Sequence, residues 1–576
     1  MLDTAGVAVD DALIAAWRER IERAAATLGW VSAMTVARRH AGGVSLALSA
    51  PIDQLFLATE VNEWSYCAAL RARDLERWSR LESALVAEAE ANVTPEHSPL
   101  LHPPVLDETA AMARFLQLQS AESRPALQAL LGAAALRHVP YTLDDAALTL
   151  GAGIGGRSFS LSELPPPAEV PWADIHSVPT AIITGSNGKT TTVRLIAACA
   201  RRHGWPAGYN CTDGVFLDGE PSVLGDYSGP DGARRVLRDP RVQAAVLETA
   251  RGGILRRGIA VSQVDVGLVT NVSADHFGEY GIYDLPGLAA VKLAIAGVVK
   301  PGGMLLLNAE DPELRAASGS LAARFGANLL IAWFSGSANS ETLRSLGAQG
   351  APNCGLRNGR LLLHFGGKEH DLGAVRDLPL SLGGVAAYNI ANMAGAALAA
   401  AALGIPPATI AQVLAVFGTQ LTDNPGRMMR FEKAGVQVLI DYAHNPDGLR
   451  GFLAVAEHLR GGRGRLGLLL GHAGNRTDAD IRELAQAASK FHPDLIVLKE
   501  NESQLRGRAP GEVPAMLRAE LSRLGVADAA MPMAASEVAA ARLALQWAVP
   551  GDVLALPLHS LRARNTVIDL LTGKGS

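Results

Sequence analysis

Residues 181–190, Ala-Ile-Ile-Thr-Gly-Ser-Asn-Gly-Lys-Thr, decide how the middle of this chain folds. Thr180 to Thr184 is a short β-branched, apolar run that predicts a strand. Gly185, Ser186, Asn187 and Gly188 break it, and Lys189, Thr190, Thr191 and Thr192 open a helix running on through Val193 and Ile196. A strand, a glycine turn and a helix in that order gather backbone N–H groups and a positive helix end at one point, which suits phosphate. Lys189 is placed to neutralise β and γ phosphates, and the Thr190 hydroxyl to ligate Mg²⁺. The spacing is a shorter variant of the usual phosphate loop, TGxNGKT, because Ile183 stands where the longer form has its first glycine. A chance lysine in a glycine turn is the bland alternative. The agreement of strand, turn and helix weighs against it, so a loop holding the triphosphate of ATP is the expectation.

The texture around this stretch predicts what completes the site. Short apolar runs, AAVLE (244–248), VGLVT (266–270) and GMLLLN (303–308), alternate with helices. That alternation predicts a parallel sheet with helices on both faces. In such a sheet, functional groups gather at the C-terminal strand ends. One run ends at Glu248, with Arg251 shortly after as a candidate contact for an anionic substrate; another is followed by Asn271, a candidate ATP-binding residue, and then His276. Glu248 and His276 are suited to Mg²⁺ or Mn²⁺, and a divalent ion there would offset charge during phosphoryl transfer. The structural alternatives are a helix-capping carboxylate and a packed histidine. Lys292 lies in the apolar helix LPGLAAVKLAIAGVV and, by composition alone, is a snorkelling lysine. GDYSGPDGARRVLRDPR (225–241) is Arg-rich; it is read either as a grip for an acidic substrate or as a solvated face.

Working outward, the chain divides into three expected domains. Residues 1–168 mix amphipathic helices and short strands, with VDDALIAAWRERIERAAATLG (9–29) one helix and 66–91 a second long one. The Pro-rich SELPPPAEVPW (162–172) is a linker. Residues 169–424 carry the phosphate loop and a mainly parallel sheet. Beyond LTDNPGRMM (421–429) the pattern restarts with VQVLIDY, RLGLLLG, DLIVLK and DVLALPL, so 425–576 is a second, Rossmann-like α/β domain. The fold class is therefore α/β, with a mixed α+β domain in front. A length of 576 residues fits three or four domains, and 48% hydrophobic residues suffice for several cores. The formal net charge of −5 gives no support for a nucleic-acid binder. Cys67, Cys199, Cys211 and Cys354 are too far apart for a zinc knuckle or redox pair. No apolar stretch is long enough to span a bilayer, and the first residues carry acids where a signal peptide needs bases. A cytoplasmic protein that contacts no membrane is expected, with homo-oligomerisation left open.

Several ordered motifs together resemble a known family. TGSNGKTTT, LETARGGILRRG, TNVSADHFGEYG, AAVK and LLLNAEDP are similar to the central domain of the Mur ligases. GGVAAYNIANMAGA resembles the segment that holds adenine, and NPGRMMRF with LIDYAHNPDGL resembles the entry to the family's C-terminal domain. GHAGNRTDADIRELA and QLRGRAPGEV look most like the Mur-ligase-like half of the cyanophycin synthetases. The likeness covers about residues 175 to 570. It implies that Lys292 is carbamylated and joins Thr190, Glu248 and His276 around two Mg²⁺ or Mn²⁺ ions. It implies that Asn389 and Asn392 bind adenine, and that Arg427, Asp441 and His444 meet the nucleotide from the C-terminal domain; Asn445 lies in the same turn.

The activity implied is an ADP-forming amide ligase. ATP activates an amino-acid or peptide-like carboxylate as an acyl phosphate, and an amine then takes the acyl group. Asn475, Arg476, Arg506 and Arg508 are candidate contacts for the amine substrate; plain surface arginines are the alternative. Residues 1–168 match no nucleotide-sugar-binding domain and are too short to hold the ATP-grasp module of cyanophycin synthetases together with its usual leading domain, which points to a separate ATP-grasp ligase as partner. A folylpolyglutamate-synthase-like or peptidoglycan-type ligase is the nearer alternative. A non-catalytic ATP-binding scaffold is the alternative of another class, and a plain kinase or NTPase would leave the DYAHNP domain without a task.

Overall fold

The computed structural model describes residues 2–4, 9–31, 33–40, 43–91, 107–274, 277, 281–326, 328–338, 340–462, 464–501 and 504–573. The chain falls into two compact units: residues 1–138, 160–170 and 277–283 form one, and residues 139–159, 171–276 and 284–576 form the other.

The first unit is built on an amphipathic helix, Asp11–Leu28. Asp10 caps its start by accepting from Leu13 N at 2.6 Å, and Gly29 ends it in the left-handed region. Its inner face packs on helix Leu55–Arg73 and on a small antiparallel sheet of Leu2–Asp3, Gly43–Leu48 and Thr35–His40. The single long helix expected over 66–91 is two. Leu55–Arg73 stops at Asp74, whose carboxylate accepts from Arg77 N at 3.0 Å and so caps a new helix, Leu75–Ala91. An aspartate satisfies free N–H groups better at a helix start than within a helix.

In the second unit, the strands are β1 (Thr180–Thr184), β2 (Ala207–Cys211), β3 (Gly214–Leu217), β4 (Glu220–Leu224), β5 (Ala244–Glu248) and β6 (Val264–Val269). They continue as β7 (Val299–Asn308), β8 (Leu330–Ser335), β9 (Asn353–Arg357), β10 (Arg360–Phe365) and β11 (Lys368–Ala374). Together they form one eleven-stranded sheet, ordered β4-β3-β2-β5-β1-β6-β7-β8-β9-β10-β11. From β2 to β9 neighbouring strands run parallel, and an antiparallel hairpin closes each edge. The mainly parallel sheet read from the sequence is present.

Strand order fixes where a ligand can sit. From β1 the chain crosses to β2 and returns to β5 on one side, then moves to β6 on the other. The C-terminal end of β1 is thus a switch point where the connections diverge and leave a crevice. Register makes this specific, because Glu248 pairs with Ile183 and Val269 with Thr184. All five residues of β1 are buried. Helix α1 (Lys189–His203) follows the loop and ends at Gly204 in the left-handed region.

Past Asn424 the chain builds a second sheet from β12 (Met429–Lys433), β13 (Val436–Asp441), β14 (Leu466–Leu470), β15 (Leu495–Lys499), β16 (Met533–Ala534) and β17 (Val553–Pro557). The order is β12-β13-β17-β14-β15-β16, antiparallel only at β12. Among the described residues no helix is long and apolar enough to cross a membrane.

Trp17 anchors the first unit: it is fully buried and its Nε1 donates to Asn62 Oδ1 at 2.9 Å. Trp17→Ala should cost about 3–5 kcal/mol. Hydrogen exchange should then rise in Asp11–Leu28 and Leu55–Arg73 while β1 to β11 stay protected.

Candidate functional site

The loop after β1 is shaped by two close approaches. Gly185 lies against Thr270, and a Cβ there would sit 1.7 Å from Thr270 Oγ1. Gly188 has φ +84°, and a Cβ there would sit 2.2 Å from Asn392 Oδ1. Any larger residue at either place must displace its neighbour and, at Gly188, adopt a backbone that L side chains avoid. Gly188 thus brings Asn392, on helix α2 (Ala387–Ala402), against the start of α1.

The loop is tied to the turn after β6. Ser186 N donates to Asn271 O and Asn187 N to Asn271 Oδ1, both at 2.9 Å. Asn271 Nδ2 donates to Asn187 O at 3.1 Å, and Thr270 Oγ1 donates to the same carbonyl at 2.6 Å. Asn271, read from the sequence as an ATP-binding residue, acts here as a brace for the loop. Lys189 folds back so that Nζ donates to Gly185 O at 3.1 Å and Ser186 O at 3.3 Å. Those two carbonyls hold the ammonium over the loop, where an incoming phosphate would meet it.

Glu248 is fully buried at the end of β5. Thr190 Oγ1 donates to its Oε2 at 2.8 Å and Thr212 Oγ1 to its Oε1 at 3.1 Å. Burial pushes its pKa up, against the pull of Lys189 and Arg427. A desolvated carboxylate with two hydroxyls on it is a hard oxygen set, which fits a divalent cation shared with phosphate. Among the described residues no group of three or more His, Cys, Asp or Glu could hold a metal ion. Lys292 ends the helix Leu285–Lys292 and is 3% exposed; the snorkelling lysine suggested by composition is instead buried. His276 lies outside the described residues.

The C-terminal domain reaches the same loop. Arg427 stacks over the Tyr442 ring at 4.1 Å and its NH2 donates to Thr190 Oγ1 at 3.4 Å. Asn445 Nδ2 donates to Asn187 Oδ1 at 2.9 Å. Asp441 accepts from Met428 N at 2.7 Å and Ala443 N at 2.8 Å, which fixes the turn after β13. His444 stacks edge-on to Tyr442, with ring centroids 5.4 Å apart. Asn389 donates to Leu380 O at 3.1 Å and accepts from Asn392 Nδ2 at 3.2 Å, so the two asparagines form one buried pair. Thr191 accepts from Asn424 Nδ2 at 3.2 Å.

The other sequence candidates fall in two groups. Arg506 NH1 donates to Asn475 Oδ1 at 3.2 Å, and Arg476 is buried beside them in the chain. Arg508 pairs with Asp478 at 2.7 Å and Glu512 at 2.6 Å and donates to two backbone carbonyls. Its guanidinium braces that loop and has little left for a substrate. In the Arg-rich stretch, Arg235 pairs with Asp231, Arg238 with Asp144 and Arg241 with Asp239, so these three are largely spent within the fold. Arg251 is buried at the start of the helix after β5. Sequence reading missed Thr212, Asn210, which donates to Glu248 O at 2.9 Å, and a buried cluster. In that cluster Asp213 accepts from Arg194 at 2.6 Å and Arg564 at 3.1 Å.

Comparison with known proteins agrees with this architecture. Residues 183–400 match the Mur ligase middle domain and residues 426–556 the Mur ligase, glutamate ligase domain. Cyanophycin synthetase of Synechocystis sp. is 37% identical over 335 residues, 58% of this chain and 37% of that protein. The chain therefore spans little more than a third of such relatives. The UDP-N-acetylmuramoyl-L-alanyl-D-glutamate–2,6-diaminopimelate ligase of Alkalilimnicola ehrlichii is 29% identical over 385 residues, 65% of this chain and 69% of that protein. Mycobacterium tuberculosis folylpolyglutamate synthase complexed with ADP aligns in structure over 68% of this chain and 90% of that one, with 17% identity and a TM-score of 0.49. Across residues 183–556 the chain belongs to the Mur ligase family.

Proposed function

We propose that this chain is an ATP-dependent, ADP-forming amide ligase that activates an amino-acid or peptide-like carboxylate for attack by an amine. The observation that carries the reading is the meeting of two α/β domains at one phosphate loop: Asn445 on Asn187 and Arg427 on Thr190. A kinase or simple NTPase has no use for a second domain bearing on the Mg²⁺-binding threonine. The domain division is that of residues 1–168, 169–424 and 425–576, with the first of no assigned chemistry.

In this reading the γ-phosphate lies at the start of α1, where Lys189 and the loop N–H groups offset its charge. A carboxylate oxygen of the acid attacks the γ-phosphorus, the bond to the β–γ bridging oxygen breaks, and ADP leaves. The amine then attacks the acyl carbon, phosphate departs, and the amine gives up a proton. Thr190, Glu248, His276 and Lys292, the last as its carbamate, would hold Mg²⁺ or Mn²⁺, which when bound offsets the charge of two anions brought together. The Asn389–Asn392 pair would meet the adenine, and Arg427, Asp441 and His444 would meet the nucleotide from the C-terminal domain. Asn475, Arg476 and Arg506 would meet the amine substrate, with Arg508 holding their loop. The acyl phosphate is easily hydrolysed, so the turn at Asp441–Asn445 closing over it would keep water out. Likeness to part of the cyanophycin synthetases supports a peptide or polymer-building substrate pair.

Phosphate release should require ATP, an acid and an amine together, with an amide product by mass spectrometry. Equal turnover without any amine would defeat the ligase reading and leave an NTPase or a scaffold. Lys189→Ala should lower turnover by about a hundredfold or more. Lys292→Ala should lose activity, and ¹³C-bicarbonate should label Lys292 in the wild type; full activity with no label would remove the carbamate.

Glu248 gives a prediction with a definite sign. Its pKa is raised in the folded chain, so its stabilising effect is present below the unfolded carboxylate value of about 4.3 and is lost as pH rises through the folded value. Above the folded value the ion burdens the fold. Without nucleotide or metal, Glu248→Gln should unfold at a higher temperature than wild type at pH 8. That advantage should vanish towards pH 4 in a thermal series, while ligase turnover is lost at every pH.

A further inference from the structure

Three strands of the C-terminal sheet end close together, β13 at Asp441, β17 at Pro557 and β15 at Lys499, with β14 between the last two. Lys499 has no exposed surface. Its stem passes over the end of β14, because a Cβ on Gly471 would lie 2.7 Å from Lys499 Cγ and 2.6 Å from Lys499 O. Only a glycine at 471 leaves room for that path.

Beyond Gly471, Lys499 Nζ donates to Glu537 Oε1. Glu537 opens the helix Glu537–Trp547 and also accepts from His559 N at 2.9 Å and Ser560 N at 2.8 Å. Burial works against its ionisation, yet Lys499, His559 and these hydrogen bonds hold its pKa down at about 2. The carboxylate therefore binds the chain just past β17. His559 Nδ1 receives Lys499 Nζ at 3.4 Å and Asn501 Nδ2 at 3.2 Å. Two donors on Nδ1 place the ring proton on Nε2. Nε2 lies 3.1 Å from Ala443 O, which it can then donate to. Burial and the Lys499 charge push the His559 pKa down to about 3, so the ring is neutral and its tautomer is set by its neighbours. The ring also stands edge-on to Tyr442, centroids 5.3 Å apart.

A buried ion pair contributes little net stability compared with well-packed apolar side chains. Its value lies in what it holds still, and here that is Ala443, two residues from both Asp441 and Asn445. We infer that Lys499, Glu537 and His559 are positioning residues that fix the Asp441–Asn445 turn through the His559 Nε2–H to Ala443 carbonyl bond, so that Asn445 meets Asn187 at the phosphate loop. The inference rests on the ligase reading for its consequence, but the clamp itself is a property of the fold.

Three variants of the full chain separate the clamp from plain core packing. His559→Leu removes the donor, His559→Gln keeps an amide N–H near the Nε2 position, and Lys499→Met removes one of the donors that set the tautomer. Without nucleotide, hydrogen exchange over residues 441–446 should rise in His559→Leu and Lys499→Met and stay near wild type in His559→Gln. In wild type, ¹⁵N shifts of His559 should report the Nε2–H tautomer, and Lys499→Met should mix the two tautomers. With ATP, KM for ATP should rise about tenfold to a hundredfold in His559→Leu, with unfolding temperature close to wild type and His559→Gln within about threefold. Unchanged exchange in His559→Leu, an Nδ1–H tautomer in wild type, or equal losses in His559→Leu and His559→Gln would each overturn the clamp. A wild type that binds ATP but forms no amide would sink the ligase reading alone, because exchange and tautomer decide the clamp without turnover.

Discussion

A single buried carboxylate sets the terms for the central domain. Glu248 has lost its water, and a bare carboxylate in that position would cost several kcal/mol without compensation. Compensation comes from three directions at once: the Thr190 hydroxyl from the phosphate loop, the Thr212 hydroxyl from beyond β2, and the charges of Lys189 and Arg427. Lys189 and Thr190 open α1 just past β1, Thr212 follows β2 and Arg427 enters from the C-terminal domain, so the placing of β1, β2 and β5 side by side is inseparable from the chemistry of one side chain. Arg427 matters most for architecture because it comes from the strand-entry segment of the C-terminal domain. The electrostatic balance at the phosphate loop therefore includes the second domain.

A second buried charge explains how that domain is held. Asp213, one residue past Thr212, sits between Arg194 of α1 and Arg564 of the helix Leu561–Thr572. Arg194 also donates to Pro425 O at 3.1 Å. A Cβ on Gly426 would meet Arg564 NH1 at 2.2 Å. The linker at Asn424–Arg427 is thus held between two arginines that share one aspartate. Helix α1 presents its first turn to the phosphate loop and, less than two turns on, a guanidinium to the linker. One helix thus touches both the phosphate loop and the linker.

The features legible in the sequence are those with local causes. The phosphate loop shows itself because strand, glycine turn and helix are contiguous, and Glu248 because a charge after AAVL marks a strand end. The second α/β domain shows itself by a restart of short apolar runs. The features that escaped depend on distant partners. Arg194 sits between Val193 and Leu195 in the buried middle of α1, and Lys499 directly follows LIVL; a charge in such a setting is itself a signal, but its partners, Asp213 and Glu537, belong to other elements. Asp74 reads as part of a helix because its neighbours keep the period, and only its bond to Arg77 N shows it as a cap. Arg508 looks available in the sequence because Asp478, which claims it, lies 30 residues away. Strand order too is invisible locally, yet it alone places Glu248 and Asn271 on opposite flanks of the loop.

The contacts between the two domains are unequal in strength, and the inequality has a direction. At the linker they are charge-assisted and buried: Asp213 with Arg564 at 3.1 Å, and Arg194 with Pro425 O at 3.1 Å. Such bonds are worth about 1.5–3 kcal/mol each when charged groups take part. At the phosphate loop they are weak: a neutral amide pair, Asn445 to Asn187 at 2.9 Å, and an Arg427 to Thr190 contact stretched to 3.4 Å. A neutral hydrogen bond contributes about 0.5–1.5 kcal/mol, and one at the longer distance contributes less. In direct hydrogen bonds the linker end is therefore held more firmly than the loop end. That order of strengths suits the proposed ligase reading, in which nucleotide and acid would enter between the domains and ADP, phosphate and amide would leave while the linker keeps its register. Reversing the inequality would give a tighter closed state and a slower release.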